Sequence, residues 1–286
     1  MFLFVQSFTR KDYVMSSSPV ALVTGASSGI GKATTRRLLA EGYTVYAAAR
    51  RVEQMRELER TGAIVLALDL TQDQALSLAV ERIQRDHGGV DVLINNAGYG
   101  VYGPVESVTI DDARRQFEVN IFGLARLTQL ILPGMRAKGA GKIINVSSMG
   151  GKVYMPLGAW YHATKHALEG WSDCLRLELA PFGIDVVIVE PGGVKTEFAD
   201  AVSEGLRART ATGPYASLAN AVLDSTAKAY AKASPPELIG HTIVKAVRAK
   251  RPRTRYVAGY MARPAVLVRR LVSDRMFDKL ITTMTR

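Results

Sequence analysis

Val20-Ala-Leu-Val-Thr-Gly-Ala-Ser-Ser-Gly-Ile-Gly31 is the stretch that decides the fold. Its first five residues carry no charge, as in a strand buried on both faces. A helical pattern follows from about residue 29 to 41, behind Gly25, Gly29 and Gly31. Glycine allows a tight turn and lets a phosphate approach the main chain. The helix start offers that phosphate free N–H groups and a positive dipole end. Glycine spacing alone is a weak signal. Here the turn follows the first strand and opens a helix within a unit of about 30 residues, the context that dinucleotide binding requires.

Outward from this turn the rhythm continues. Strand-like runs at 43–49, 63–69, 90–95, 142–147 and 184–190 alternate with helical patterns at 52–60, 73–86, 109–136 and 160–180. Short apolar strands alternating with helices mean βαβ units and a parallel sheet. The expected fold is therefore α/β, a doubly wound Rossmann sheet flanked by helices. After Gly193 the pattern becomes helical pieces, at 199–208, 218–232 and 237–250, then a short strand at 255–258 and one helix over 266–284. Residues 196–235 are the candidate substrate lid and 237–286 a C-terminal helical elaboration. The domain reading is one oxidoreductase domain over 19–286, with 1–18 a loose extension and Met15 an alternative start.

Composition bounds the rest. The chain has 286 residues, 48% hydrophobic and 22% charged, too apolar for disorder. The net charge is +11, yet residues 241–286 carry 12 Lys+Arg against 2 Asp+Glu, so the body is nearly neutral. The basic stretch 250–255 lacks interleaved aromatics apart from Tyr256, and no nucleic-acid motif is present, which argues against a nucleic-acid-binding protein. The basic C-terminal helix admits two readings, contact with a membrane surface or docking on the domain with its cations in water. The single cysteine, Cys174, excludes an internal disulfide and reads as a small core residue. His162 and His166 stand four apart like a two-His metal face, but no third ligand is evident, and the expectation is no metal. No run of about 20 apolar residues exists, and the N-terminus has its apolar residues before its charges, the reverse of a secretory signal. The expected compartment is the cytoplasm.

Five motifs together resemble the short-chain dehydrogenase/reductase family, NADP-preferring and nearest its steroid- and retinol-dehydrogenase-like branch. They are Gly25-x-x-x-Gly29-x-Gly31, Asn95-Asn-Ala-Gly98, Ser147-Ser148 at a strand end, Tyr161-x-x-x-Lys165 on a helix, and Pro191-Gly192. The resemblance covers about 19–200 and fades beyond. It implies cofactor contacts from Gly25, Ser27, Ser28, Gly29, Ile30, Asn96, Ala97, Gly98, Tyr161, Lys165, Pro191, Gly192, Val194 and Thr196, with Asp69 and Leu70 lining the adenine. NAD-binding folds usually end the second strand in an acid that bonds the ribose. Ala49 stands there, followed by Arg50, whose guanidinium suits a 2′-phosphate, so the expected cofactor is NADP(H).

Residues i and i+4 of a helix share a face, so Tyr161 and Lys165 can meet one ligand. A nearby ammonium is expected to lower the phenol's pKa toward working pH, fitting it as general acid or base. Tyr154 is a rival base, but Gly158 takes the place of its cation. By resemblance, Lys165 holds the nicotinamide ribose, Ser148 (rather than Ser147) steadies charge on the substrate oxygen, and Asn120 holds a water that relays protons. The apolar loop at 149–157 suggests an apolar small-molecule alcohol, ketone or aldehyde as the substrate. The resemblance adds a homodimer or homotetramer.

Overall fold

The computed structural model describes residues 18–285; the expected extension lies almost wholly outside them. The strands are β1 (Val20–Thr24), β2 (Thr44–Ala49), β3 (Ile64–Ala67), β4 (Val92–Asn95), β5 (Gly141–Val146), β6 (Ile184–Pro191) and β7 (Arg255–Ala258). They form one sheet in the order β3-β2-β1-β4-β5-β6-β7. Every neighbouring pair is parallel. The order reverses between β1 and β4, and ligands of open α/β sheets sit outside the strand ends at such a switch.

Strand side chains alternate between two cores, which is why the strands read as continuous apolar runs. Ala21, Val23, Val45 and Ala47 face one layer, with helix α1 (Gly29–Ala40) and α9 (Pro236–Arg248), which brings Ile239, Ile243 and Val247. Val20, Leu22, Tyr46 and Ala48 face the other. That layer holds α3 (Asp73–His87), α5 (Leu124–Lys138) and α6 (Ala159–Leu179), through Leu76, Ile83, Leu127, Ile131, Leu175 and Leu179. The short α2 (Arg56–Arg60) follows a 3₁₀ turn at Val52–Met55. The long helix read over 109–136 is α4 (Ile110–Phe117) and α5 joined by a π-helical stretch, Glu118–Gly123. Beyond β6 come α7 (Glu197–Thr210), α8 (Ala216–Ala231) and α9, and beyond β7 come α10 (Ala262–Leu271) and α11 (Asp274–Met284).

Two expectations need correction. The helix read over 266–284 is two helices, because Val272 is extended and Ser273 starts a new one. The break lets Arg269 pair with Asp274 at 2.6 Å and turns Phe277 inward. Cys174 is exposed rather than in the core, because α6 buries the turns on either side through Leu168, Ser172, Leu175 and Leu179 and leaves that position outward.

The edge strand β7 brings Arg255 against two buried carboxylates, Glu169 and Glu190, and the half-buried Asp173. Arg255 lies 3.1 Å from Glu169, 2.6 Å from Asp173 and 3.2 Å from Glu190, while Lys152 reaches Glu169 at 2.8 Å. With Arg176 also on Asp173, three carboxylates face three cations. Burial first, then repulsion from Glu169, pushes the Glu190 carboxyl up to about 7. Among the described residues no helix is long and apolar enough to cross a membrane, and no group of three or more His, Cys, Asp or Glu could hold a metal ion.

Candidate active site

At the switch point the glycine turn locks onto the loop after β4. The Thr24 hydroxyl accepts the N–H groups of Asn96 and Ala97, each at 3.0 Å, and donates to the Ile94 carbonyl at 3.2 Å. Asn96 returns its side-chain amide to the Thr24 carbonyl at 2.9 Å. The fit leaves no room for side chains. A Cβ on Gly25 (φ +66°) would stand 2.9 Å from Ala97 Cα, and one on Gly31 would stand 2.3 Å from the Gly25 carbonyl oxygen. A Cβ on Gly29 would meet Thr196, the residue that starts α7, at 2.9 Å. Gly25, Gly29, Asn96, Ala97 and Thr196 thus converge, with Ser27, Ser28 and Ile30 within the same turn. Gly192, after β6, is equally confined, since its Cβ would stand 2.1 Å from the Tyr260 carbonyl oxygen. Pro191 ends β6, and Val194 forms a bridge with Ser234.

Arg50 follows β2, is exposed, and takes part in none of the ion pairs of the described residues. Its neighbour Arg51 bonds Glu197 at 2.8 Å and Ser28 Oγ at 3.5 Å, tying the glycine turn to α7. Asp69 accepts from the Thr71 N–H at 3.0 Å and its hydroxyl at 2.9 Å. Leu70 lies against the π-helical stretch, where a Cβ on Gly123 would stand 2.3 Å from the Leu70 carbonyl oxygen.

Asn120, Ser148, Tyr161 and Lys165 come together beyond the ends of β4 and β5. Tyr161 and Lys165 are each under a tenth exposed. Lys165 Nζ donates to the Val146 carbonyl at 2.9 Å and stands 6.0 Å from the centre of the Tyr161 ring. A Cβ on Gly98 would be 3.1 Å from Asn120 Oδ1 and 3.8 Å from Lys165 Nζ. Asn120 lies in the π-helical stretch; its amide donates to the Tyr99 carbonyl (2.9 Å) and Thr164 Oγ1 (3.1 Å), and its Oδ1 accepts the Tyr99 N–H (3.1 Å). Such stretches are rare and frequent at functional sites.

The electrostatics depart from the expectation that the ammonium would lower the phenol. Burial pushes the Tyr161 phenol up to about 12, and only hydrogen bonding with Ser148 pulls against it. Lys165 points at a carbonyl instead, and its own burial takes it down to about 8. The phenol therefore holds its proton at neutral pH.

The crevice beside Tyr161 is apolar. Tyr102, Leu157 and Tyr161 pack with Val202 and Leu206 of α7 and Val222 of α8. Phe198, also on α7, packs at a tilt against Tyr161 with centroids 5.3 Å apart. His162 stands beside Tyr161 on α6. It is buried, its Nδ1 donates to the Gly150 carbonyl at 2.9 Å, and its Nε2 accepts the Met155 N–H at 3.2 Å. Both ring nitrogens thus clamp the loop that follows Ser148. Burial keeps the imidazole neutral by lowering its pKa. The signal was its place beside Tyr161, but the partners lie 7 and 12 residues away. His162→Phe keeps a ring and removes both bonds, so the melting temperature should fall by about 5 °C. Amide exchange should quicken at 150–155. Unchanged protection of those amides would contradict the clamp.

Known proteins match this arrangement. The short chain dehydrogenase family model matches residues 19–207. An NADPH-dependent 3-dehydrocapnine reductase of Ornithobacterium rhinotracheale is 36% identical over 274 residues, covering 91% of this chain and 95% of that protein. A 3-ketodihydrosphingosine reductase of Bacteroides thetaiotaomicron is 41% identical over 182 residues, 63% of this chain and 66% of that protein. Among solved structures, the closed form of serine dehydrogenase complexed with NADP+ superposes with a TM-score of 0.74 at 27% identity, covering 84% of this chain and 94% of that one.

Proposed function

The chain belongs to the short-chain dehydrogenase/reductase family, and on that premise we propose that it is an NADP(H)-dependent oxidoreductase interconverting an apolar ketone or aldehyde with its alcohol. The observation that carries this reading is the meeting of Tyr161, Ser148 and Lys165 at the same end of the central strands as the glycine turn. The turn suits a dinucleotide, because Cβ atoms at Gly25 and Gly31 would strike backbone and their absence leaves the main chain bare for a phosphate. Gly25, Ser27, Ser28, Gly29 and Ile30 would hold the pyrophosphate, and Arg50 the 2′-phosphate. Asp69 and Leu70 would line the adenine, and Asn96, Ala97 and Gly98 the sugar. Pro191, Gly192, Val194 and Thr196 would close the nicotinamide end.

When bound, NADPH supplies the hydride. Ser148 hydrogen-bonds the substrate oxygen and steadies charge there. Tyr161, held protonated by burial, donates its proton to that oxygen, which favours reduction at neutral pH. Lys165 holds the ribose, and its charge favours the phenolate left behind. The Asn120 side chain is engaged by Tyr99 and Thr164, and Asn120 would hold the water that relays protons between Lys165 and solvent. Residues 196–235, chiefly α7 and α8, act as the lid over the apolar crevice. The family resemblance adds a homo-oligomer to this reading, and the cytoplasm remains the expected compartment.

The test is a panel of apolar ketones followed by NADPH absorbance, with 3-dehydrocapnine and 3-ketodihydrosphingosine, the ketones named in the two relatives, included first. Turnover with NADPH is expected; no turnover across the panel, or preference for NADH, contradicts the reading. Arg50→Ala should weaken NADPH about 30-fold, the worth of charge-assisted hydrogen bonds, and leave NADH unchanged. Fluorescence titration measures both. Equal losses for the two cofactors would remove Arg50 from the phosphate site.

A further inference from the structure

The basic tail contains a surface that the catalytic reading does not use. Of its cations, Arg248 pairs with Glu41, Arg255 with the buried carboxylates, and Arg269 with Asp274. Lys250, Arg251, Arg253, Arg263, Arg270, Arg275 and Lys279 make none of the ion pairs of the described residues, and all are exposed. On α10 and α11 they flank an apolar stripe. Leu267 and Leu271 stand one turn apart on α10, and Met276, Leu280 and Met284 run along α11 at the same spacing. These five side chains are 45–76% exposed. The inward faces are already anchored by Ala262, Val266 and Phe277.

We propose that the outward face of α10 and α11 docks on an anionic lipid surface. Leucine and methionine stripes edged by arginine and lysine are what an interfacial helix pair needs, apolar insertion with cations at headgroup level. Charge complementarity favours an anionic lipid surface, since the exposed cations that flank the stripe take part in none of the ion pairs of the described residues. The docking face is joined to the crevice. The Tyr154 hydroxyl donates to Asp278 at 2.9 Å, its ring packs edge-on against Phe277 at 5.1 Å, and the Arg269 guanidinium lies over both rings at 5.5 and 5.4 Å. Tyr154 belongs to the loop after Ser148, so docked lipid would lie close to the loop that lines the crevice. On the proposed oxidoreductase reading, an apolar ketone would enter from the bilayer; the docking itself does not depend on that reading.

The test is co-sedimentation of the full chain with phosphatidylcholine vesicles, with and without phosphatidylglycerol, at low and high salt. Binding should require phosphatidylglycerol and fall at high salt. Arg270→Gln with Lys279→Gln should weaken it about tenfold or more, and Leu267→Ser with Leu271→Ser should weaken it comparably, with melting temperature and NADPH binding retained. Should a variant fail to fold, the lipid and salt dependence of the unaltered chain still decides. No binding to phosphatidylglycerol vesicles overturns the proposal. So does binding that survives the paired substitutions, or a dimer in sedimentation velocity that the leucine substitutions dissolve, since a second copy would then cover the face. Vesicle binding needs no substrate, so its outcome is separable from a failure of the ketone panel.

Discussion

Tyr161→Phe is expected to cut turnover by about three orders of magnitude, within the range that general acid–base catalysis supplies, while NADPH binding stays within a few-fold. The substitution removes one oxygen. The ring keeps its packing against Phe198 at 5.3 Å and Tyr102 at 5.7 Å, so the crevice and the cofactor cradle have no cause to move. Turnover retained in this variant would remove Tyr161 from the mechanism. The pH profile supplies a second handle. The phenol sits at about 12, so its proton is present across the working range, and loss of the Lys165 charge above about 8 is the first ionisation to matter. Reduction should therefore run level below about pH 8 and decline above it. Oxidation needs the phenolate and should climb with pH. A reduction rate that rises steadily from pH 7 to 10 would contradict the protonated phenol.

Gly31→Ala should abolish measurable NADPH binding and lower the melting temperature by about 5 °C or more. The added carbon would stand 2.3 Å from the Gly25 carbonyl oxygen, 2.8 Å from its carbon and 2.6 Å from Asn96 Nδ2. None of these can give way cheaply. Two are backbone, and the third is tied to the Thr24 and Gly25 carbonyls at 2.9 and 3.3 Å. Relief would require the turn to part from the loop after β4. Gly170→Ala is the contrast, since it lies on α6 with nothing within 4 Å of the added carbon. It should be neutral or slightly stabilising, because alanine is the better helix former. Thermal melts and NADPH titration of the two variants test the difference, and equal behaviour would contradict the close packing.

The sheet was legible because each strand is apolar on both faces, and the candidate site was legible because its residue types stand at fixed spacings around strand ends. What escaped depends on contacts between distant segments. The break at Val272–Ser273 exists because Arg269, Asp274, Phe277 and Tyr154 meet there, and nothing local to 266–284 announces Tyr154. Cys174 read as core because free cysteine is usually buried, but the buried face of α6 passes it by. The direction of the Tyr161 shift depended on where Lys165 Nζ points and how dry the pocket is, neither of which spacing encodes.

Arg255 sets an order on assembly. The segment matching the family model ends at residue 207, yet Glu169 and Glu190, both inside it and both buried, share an arginine 48 residues further along the chain. A chain still emerging from the ribosome has the carboxylates, with only Lys152 to offset them, before it has that counter-ion, and closing the sheet edge would leave excess negative charge in a dry interior. The final strand thus works as a latch. The helix that carries Tyr161 and Lys165 lacks this counter-ion until β7 has been made, and a protein cut short before β7 should be recognised by proteases rather than persist as a smaller enzyme.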